Sequence, residues 1–291
     1  MTAGPTVIQT ARTMTEQVRA ARAAGRRVGF VPTMGSLHDG HTGLVDRAKA
    51  ACDDVVVSIY VNPTQFALHE DFDRYPRNLE ADTRLLARHQ VRWVFAPDTA
   101  EIYPPGNATR IEVAGPAEPF EGRLRPGHFS GVATVVCRLF QVVPADAAYF
   151  GAKDWQQTLV IRRMVADLGL PIELVVCPTV REPDGLAMSS RNAYLTATQR
   201  QQARVLSAAL DQARAAWLTG TSADQIATGM AATLEAAGIE VDYAEVVVAE
   251  TLQPLETSPP DAPAIALVAG RLGDTRLIDN QLLPPRGAAA C

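Results

Sequence analysis

Lysine is almost missing from this chain. Of its 27 basic residues 25 are arginine, and only two, Lys49 and Lys153, are lysine. Arginine is used wherever either cation will serve, so a retained lysine marks a place that can want a compact, flexible ammonium rather than a rigid guanidinium. Lys49 falls in the exposed pattern of a helix and reads as a solvated surface charge. Lys153 sits in Gly151-Ala152-Lys153-Asp154, at a strand-to-helix junction, and reads either as a phosphate partner or as an unselected surface residue.

Long apolar runs are also lacking: no stretch approaches the ~18 to 20 apolar residues that a membrane-crossing helix needs, so no membrane partner is expected. No charged-then-apolar leader opens the chain, and the cytoplasm is the expected compartment. The four cysteines, Cys52, Cys137, Cys177 and Cys291, form no Cys-x-x-Cys pair. The first three lie in apolar or helical stretches, and they are expected to be reduced core thiols. A basic stripe is missing from the C-terminal part: residues 179–291 hold 8 Arg, no Lys and 13 acidic residues, whereas the first 178 carry 19 charges of each sign. Nucleic-acid-binding proteins show the reverse imbalance, so neither tRNA nor DNA is an expected partner.

What is present is an ordinary globular composition, 47% apolar over 291 residues, enough for one large or two medium domains with real cores. In the first half, Val/Ile/Phe-rich runs alternate with helical patterns, the signature of βαβ units and a parallel sheet. Strands are expected at Arg27–Val31, Asp54–Val61, Arg92–Ala96, Ala147–Phe150 and Ile172–Cys177. Helices are expected from a capping box at Thr13-x-x-Glu16 to Gly25, then at Gly40–Ala51, Leu79–His89, Phe129–Val143 and Asp154–Leu168. Pro178 and Pro183-Asp184-Gly185 mark a break. Beyond it, capping boxes at Thr196-x-x-Gln199 and Ser222-x-x-Gln225 open two helices, and strand-like runs follow at Val241–Val248, Ala264–Ala269 and Leu272–Asp279. The last two form a hairpin marked by Gly270 and Gly273, residues 254–263 form a loop, and residues 284–291 form a frayed tail. The expected fold is thus α/β: a Rossmann-like parallel sheet with helices on both faces (1–178) and a smaller α+β C-terminal lid domain (179–291).

The most informative segment is Pro32-Thr33-Met34-Gly35-Ser36-Leu37-His38-Asp39-Gly40-His41, where a strand pattern runs directly into a helix pattern. The first N–H groups of a helix lack internal partners and sit at the positive end of its dipole, so such a turn binds anions. The i,i+3 spacing puts both imidazoles on one face of the first turn. They can serve as phosphate donors, a metal pair or polar residues of a helix cap, while His69, His89 and His128 are scattered singly. Asn62 and Gln65, in Val61-Asn-Pro-Thr-Gln-Phe66, and Gln157, after Asp154-Trp155-Gln156, are neutral amides able to read hydroxyl and carboxylate groups. Met188-Ser189-Ser190-Arg191 adds hydroxyls and a guanidinium for phosphate oxygens. Taken singly, each of these is as readily a turn or a cap.

In order, these segments resemble the pantoate–β-alanine ligase family, within the nucleotidyl-transferring superfamily that carries HIGH-type and KMSKS-type signatures. The resemblance also draws on Tyr75-Pro-Arg77, Arg125-Pro-Gly-His-Phe-Ser-Gly-Val132, Tyr149-Phe-Gly-Ala-Lys-Asp-Trp-Gln-Gln157 and Arg181-Glu-Pro-Asp-Gly-Leu-Ala-Met-Ser-Ser-Arg-Asn192, and extends from about residue 7 to about 282. It implies that ATP and pantoate give pantoyl adenylate and pyrophosphate, and that β-alanine then displaces AMP. By the same resemblance Met34, Gly35, Ser36, Leu37, His38, Asp39, Gly40 and His41 cradle ATP, with His41 as proton donor and His38 as a phosphate partner. Gly151, Ala152, Lys153, Asp154, Val180, Met188, Ser189, Ser190 and Arg191 complete the nucleotide site, with Lys153 on the phosphates. Gln65 and Gln157 hold pantoate, and Gln65 and Asn62 border β-alanine. Mg²⁺ accompanies ATP with no protein ligand assigned, Asp82 reading either as a neighbour of the metal or, more readily, as a solvated helix carboxylate, and a homodimer is implied. Thr64, Ser36, Asp39 and Ala152 depart from the commonest family residues (Met, Ala, Glu and Glu) without removing a phosphate or amide ligand.

Overall fold

A computed structural model describes residues 4–67, 70–255 and 262–285. His69, Cys291, the middle of the expected loop and the expected tail from 286 on lie outside the described residues. The chain forms two compact units, one of residues up to 152 with 156–178, the other of residues 153–155 with those from 179 on.

The first unit runs β1 (Thr6–Ile8), α1 (Ala11–Ala23), β2 (Val28–Thr33), α2 (Asp39–Ala51), β3 (Asp54–Ile59), α3 (Leu79–Arg88), β4 (Trp93–Phe95), α4 (Thr99–Ile102), α5 (Glu121–Leu124), α6 (His128–Val142), β5 (Ala147–Gly151), α7 (Trp155–Asp167) and β6 (Glu173–Cys177). Its six strands pair in the order β1-β4-β3-β2-β5-β6, all parallel. Such a sheet must be covered on both faces, which is why its central strands read as near-continuous apolar runs. Phe30, Val56, Phe95 and Phe150 pack against α1, α6 and α7 on one face. Val31, Val57, Val94 and Tyr149 pack against α2 and α3 on the other.

Two local expectations change. β1 was not anticipated, because three residues at a sheet edge carry too short a pattern to read. The first helix starts at Ala11 rather than at a Thr13–Glu16 box. Its first N–H is satisfied by Glu101 Oε1 at 2.6 Å, 90 residues away, a partner that local sequence cannot announce.

The order reverses between β2 and β5: β3 and β4 continue to one side of β2, and β5 returns to its other side. Ligands of open α/β sheets bind beyond the strand ends at such a switch point. The β2–β5 ladder is brief, pairing only Gly29 with Ala147 and Phe30 with Ala148. Asp146 N–H donates to Val28 C=O, so alternate residues of β2 face β5, and Pro32, which has no N–H, lies on that side past the end of the ladder.

In the second unit, β7 (Glu240–Val248), β8 (Ala264–Leu272) and β9 (Thr275–Leu283) form an antiparallel sheet in sequence order, and the expected hairpin turns at Gly273-Asp274. Three helices precede it, α8 (Ala197–Ala203), α9 (Val205–Leu218) and α10 (Ala223–Ala236). Both capping boxes form, but the first helix breaks at Arg204, giving three helices where two were expected. Leu206, Leu210 and Trp217 of α9 and Ile226, Met230 and Leu234 of α10 cover one sheet face.

The start of the parallel sheet is held by one buried carboxylate. Asp54 accepts from Arg26 Nε (2.5 Å) and Nη2 (2.7 Å) and from Arg92 Nη1 (2.7 Å). Burial pushes its pKa up, but the two guanidiniums overcome that, and the net shift is downward. Asp54→Asn should therefore lower unfolding stability by about 2 kcal/mol, as for a charge-assisted bond left half-made. A carboxylate with a depressed folded pKa stabilises above its unfolded value, about 3.9, and loses that stability as pH falls through the folded pKa. Urea titrations should show the gap between variant and wild type closing below about pH 4.

Candidate active site

β2 delivers the chain into a turn shaped by left-handed backbone at Gly35 (φ 80°) and Ser36 (φ 52°). A Cβ at Gly35 would lie 3.0 Å from both Asp82 Oδ2 and Ile59 Cγ2. Asp82 is the clasp of this turn: its two oxygens accept from Ser36 N–H (3.0 Å) and Leu37 N–H (2.9 Å). The solvated helix carboxylate expected at this position is instead 4% exposed. Burial raises its pKa against the opposing pull of the two backbone N–H groups.

α2 then starts with His38 as its N-cap. His38 Nδ1 accepts from Gly40 N–H (3.1 Å), His41 Nδ1 accepts from His38 N–H (3.3 Å), and the two rings lie 4.1 Å apart. The rings thus form a reciprocal capping box, made of imidazoles rather than hydroxyl and carboxylate. Because each Nδ1 is an acceptor, the proton of each neutral ring sits on Nε2, and both histidines become Nε2–H donors. The cap reading therefore holds for Nδ1 of each ring. Among the described residues no group of three or more His, Cys, Asp or Glu is placed to hold a metal.

Beyond β3, Asn62 caps the short turn Pro63–Gln65 and is 1% exposed. Its amide orientation is fixed by the main chain: Oδ1 accepts from Thr64 N–H (3.3 Å), and Nδ2 donates to Gly131 C=O (3.2 Å). The second Nδ2 hydrogen goes to Gln65 Oε1 (3.1 Å). Gln65 must therefore turn its Nε2 the other way, where it meets the weak acceptor Met34 Sδ (3.3 Å). A half-buried glutamine held in this sense offers donors, and suits a carboxylate or hydroxyl oxygen. Thr64 Oγ1 and Tyr103 Oη also donate to Asn62 Oδ1, each at 3.0 Å. Gln157 stands half-buried on the first turn of α7. Its neighbour Gln156 is spent on structure, accepting from Glu121 N–H and donating to Pro116 and Pro119 C=O.

Of the expected nucleotide residues, Gly151 ends β5 and Ala152 follows it in the first unit, while Lys153 and Asp154 group with the second. Lys153 Nζ lies 3.8 Å from Asp154 Oδ1 and is 19% exposed, and its C=O accepts from Asn280 Nδ2 (2.8 Å). Val180 and Met188 come together across the turn at Pro183-Asp184-Gly185, with Met188 N–H donating to Val180 C=O (3.0 Å). Ser189 Oγ caps the turn that carries Arg191. Asn192 Nδ2 braces it by donating to Glu182 Oε1 and Ala187 C=O.

A family model described as pantoate-beta-alanine ligase matches residues 6–282, nearly the whole chain. The chain belongs to the pantoate–β-alanine ligase family. It is 52% identical over 270 residues to the pantothenate synthetase of Roseiflexus sp. (strain RS-1), covering 92% of this chain and 96% of that one. It is 51% identical over 266 residues to that of Shewanella oneidensis, covering 91% and 94%. The crystal structure of pantothenate synthetase from Thermus thermophilus superposes with a TM-score of 0.89 at 48% identity, over 96% of this chain and 100% of that one. The pantoate-beta-alanine ligase from Francisella tularensis, solved with beta-gamma ATP and beta-alanine, superposes at 0.80 with 34% identity, over 96% and 97%.

In this pantoate–β-alanine ligase chain, Met34–His41, Asn62 and Gln65 converge around two hydrogen-bonded turns at the carboxyl edge of the parallel sheet. What the sequence reading missed is the second rank: Asp82 behind the histidine turn, and Arg125, His128 and Gly131 behind Gln65. The Arg125–Val132 motif was visible in the sequence but carried no assignable task there.

Asp82→Asn replaces one acceptor with an N–H₂ group facing a backbone N–H. The variant should lose about 1–3 kcal/mol of stability, the cost of unsatisfied buried donors. Melting curves with and without ATP should show both the lower midpoint and a smaller upward shift on adding nucleotide.

Proposed function

We propose that this ligase joins pantoate to β-alanine in two steps at one site. Pantoate's carboxylate attacks the α-phosphorus of ATP, forming the acyl–phosphate bond as pyrophosphate leaves. The free amine of β-alanine then attacks the acyl carbon, forming the amide as AMP leaves and the ammonium proton is lost. The observation that carries this reading is the donor polarity of Gln65 beside a histidine-capped helix start. Neutral donors suit an anionic substrate without competing for phosphate, whereas imidazole Nε2–H donors at the positive end of a helix suit phosphate oxygens.

In this reading His41 is the proton donor and His38 a phosphate partner, with Met34, Gly35, Ser36, Leu37, Asp39 and Gly40 completing the first part of the ATP cradle. Gly151, Ala152, Lys153, Asp154, Val180, Met188, Ser189, Ser190 and Arg191 serve the nucleotide as well, Lys153 on its phosphates. Gln65 and Gln157 hold pantoate, and Gln65 borders β-alanine with Asn62 behind it. Pantoate needs no base, being already ionised near neutral pH. The difficulty is to bring an anion to a polyanion and stabilise the leaving pyrophosphate, which calls for several cationic groups together.

Magnesium fits as a companion of the nucleotide rather than as a resident of the protein: Mg²⁺ keeps most of its shell as water and phosphate oxygen, and Asp82 already spends both oxygens on backbone N–H groups. When bound, Mg²⁺ would neutralise charge on the phosphates. A cytoplasmic homodimer completes the proposal, and sedimentation equilibrium showing only monomer would remove the dimer from it.

Pyrophosphate should exchange into ATP when pantoate is present without β-alanine, and AMP should appear only when all three substrates are supplied. Retention of the nucleotide in the product would instead mark a nucleotidyltransferase, and ATP binding without turnover a non-catalytic module. Lys153→Ala should raise the adenylation barrier by at least ~2 kcal/mol, as for one lost transition-state donor, and an unchanged exchange rate would remove Lys153 from the chemistry.

A further inference from the structure

The segment Arg125–Val132 has no task in the reading above, yet it lies directly behind Gln65. Its residues build the N-terminal turn of α6, which packs onto the turn Pro63–Gln65. At Gly131 an added Cβ would sit 2.4 Å from Thr64 O and 2.7 Å from Gln65 Cα, so the helix can approach this closely only without a side chain there. One helical turn earlier, His128 Nδ1 lies 2.9 Å from Gln65 C=O. The proton on that nitrogen is not a matter of choice. Arg125 Nη1 stands 3.1 Å from His128 Nε2, and a guanidinium can only donate, so Nε2 is the acceptor and Nδ1 carries the hydrogen given to Gln65.

Arg125 is itself fixed, its Nε and Nη2 paired with both oxygens of Glu70 at 2.6 and 2.8 Å, and Glu121 Oε2 lies 3.8 Å from its Nη1. Desolvation and the Arg125 charge hold the His128 pKa down at about 4, so the ring is neutral near pH 7 and the tautomer is stable there.

We propose that His128 is a positioning residue for substrate binding: a neutral Nδ1–H tether, locked in its tautomer by the Glu70-bound Arg125, that fixes the backbone of Gln65 while Asn62 fixes its side chain. Gln65 thereby meets pantoate as a preset donor from a rigid turn. The inference rests on the reading of Gln65 as the pantoate ligand.

Three variants separate the tether from mere filling of space. Asparagine at 128 keeps an amide donor near the place of Nδ1, glutamine puts its amide nearer the place of Nε2, and phenylalanine keeps ring volume with neither. The KM for pantoate in the pyrophosphate-exchange assay should stay within about threefold of wild type for His128→Asn and rise about tenfold or more for His128→Gln and His128→Phe, the size of one lost hydrogen bond. The KM for ATP should stay unchanged in all three, and melting temperatures should show each variant folded. The proposal is overturned if His128→Gln and His128→Phe keep the wild-type pantoate KM, if all three variants suffer alike, or if ATP and pantoate constants move together. Gln65→Ala tests the underlying reading on its own: an unchanged pantoate KM there removes Gln65 from the substrate, whereas a raised one with a silent His128→Phe removes only the tether.

Discussion

Everything at the carboxyl edge of this sheet depends on main-chain polar groups finding partners where regular structure stops. Ser36 and Leu37 turn their N–H groups onto Asp82, Gly40 and His38 turn theirs onto imidazole nitrogens, and Thr64 turns its own onto Asn62. A buried backbone donor without a partner is costly, so each of these side chains is chosen first by the chain that surrounds it. His38 and His41 carry their hydrogen on Nε2 because Nδ1 is an acceptor, and Gln65 turns its Nε2 away from Asn62 because Oε1 is engaged.

This economy also explains why glycine appears where it does. Gly35 must take a left-handed conformation beneath Asp82, and Gly131 must let a helix press onto the turn that bears Gln65. In both places precision comes from removing atoms rather than adding contacts. The turns are stiff because they are over-determined by hydrogen bonds, which is what a site that acts by positioning requires.

Much of this was legible in the sequence. The alternating strand and helix patterns gave the parallel sheet nearly strand by strand, because periodicity reports burial directly. The two capping boxes after the break formed as read, since a cap is a purely local device. The misreadings share one physical cause. The start of α1 depends on Glu101, the role of Asp82 on a turn some 45 residues upstream, and the setting of His128 on a carbonyl 63 residues away. Contacts of that span leave no spacing to read, so the residue types of the candidate site stood out in the sequence while the long-range partners that brace them did not.

Pro32 carries a consequence of its own. β2 stays paired with β3 through Thr33, and β5 stays paired with β6 through Gly151, but between β2 and β5 the ladder stops at Phe30. A residue with a free N–H at 32 could extend that ladder, whereas proline cannot. The sheet therefore forks along its midline, and the fork is written into covalent structure. No β2–β5 hydrogen bond at position 32 has to be broken later, because none can be made when the chain folds.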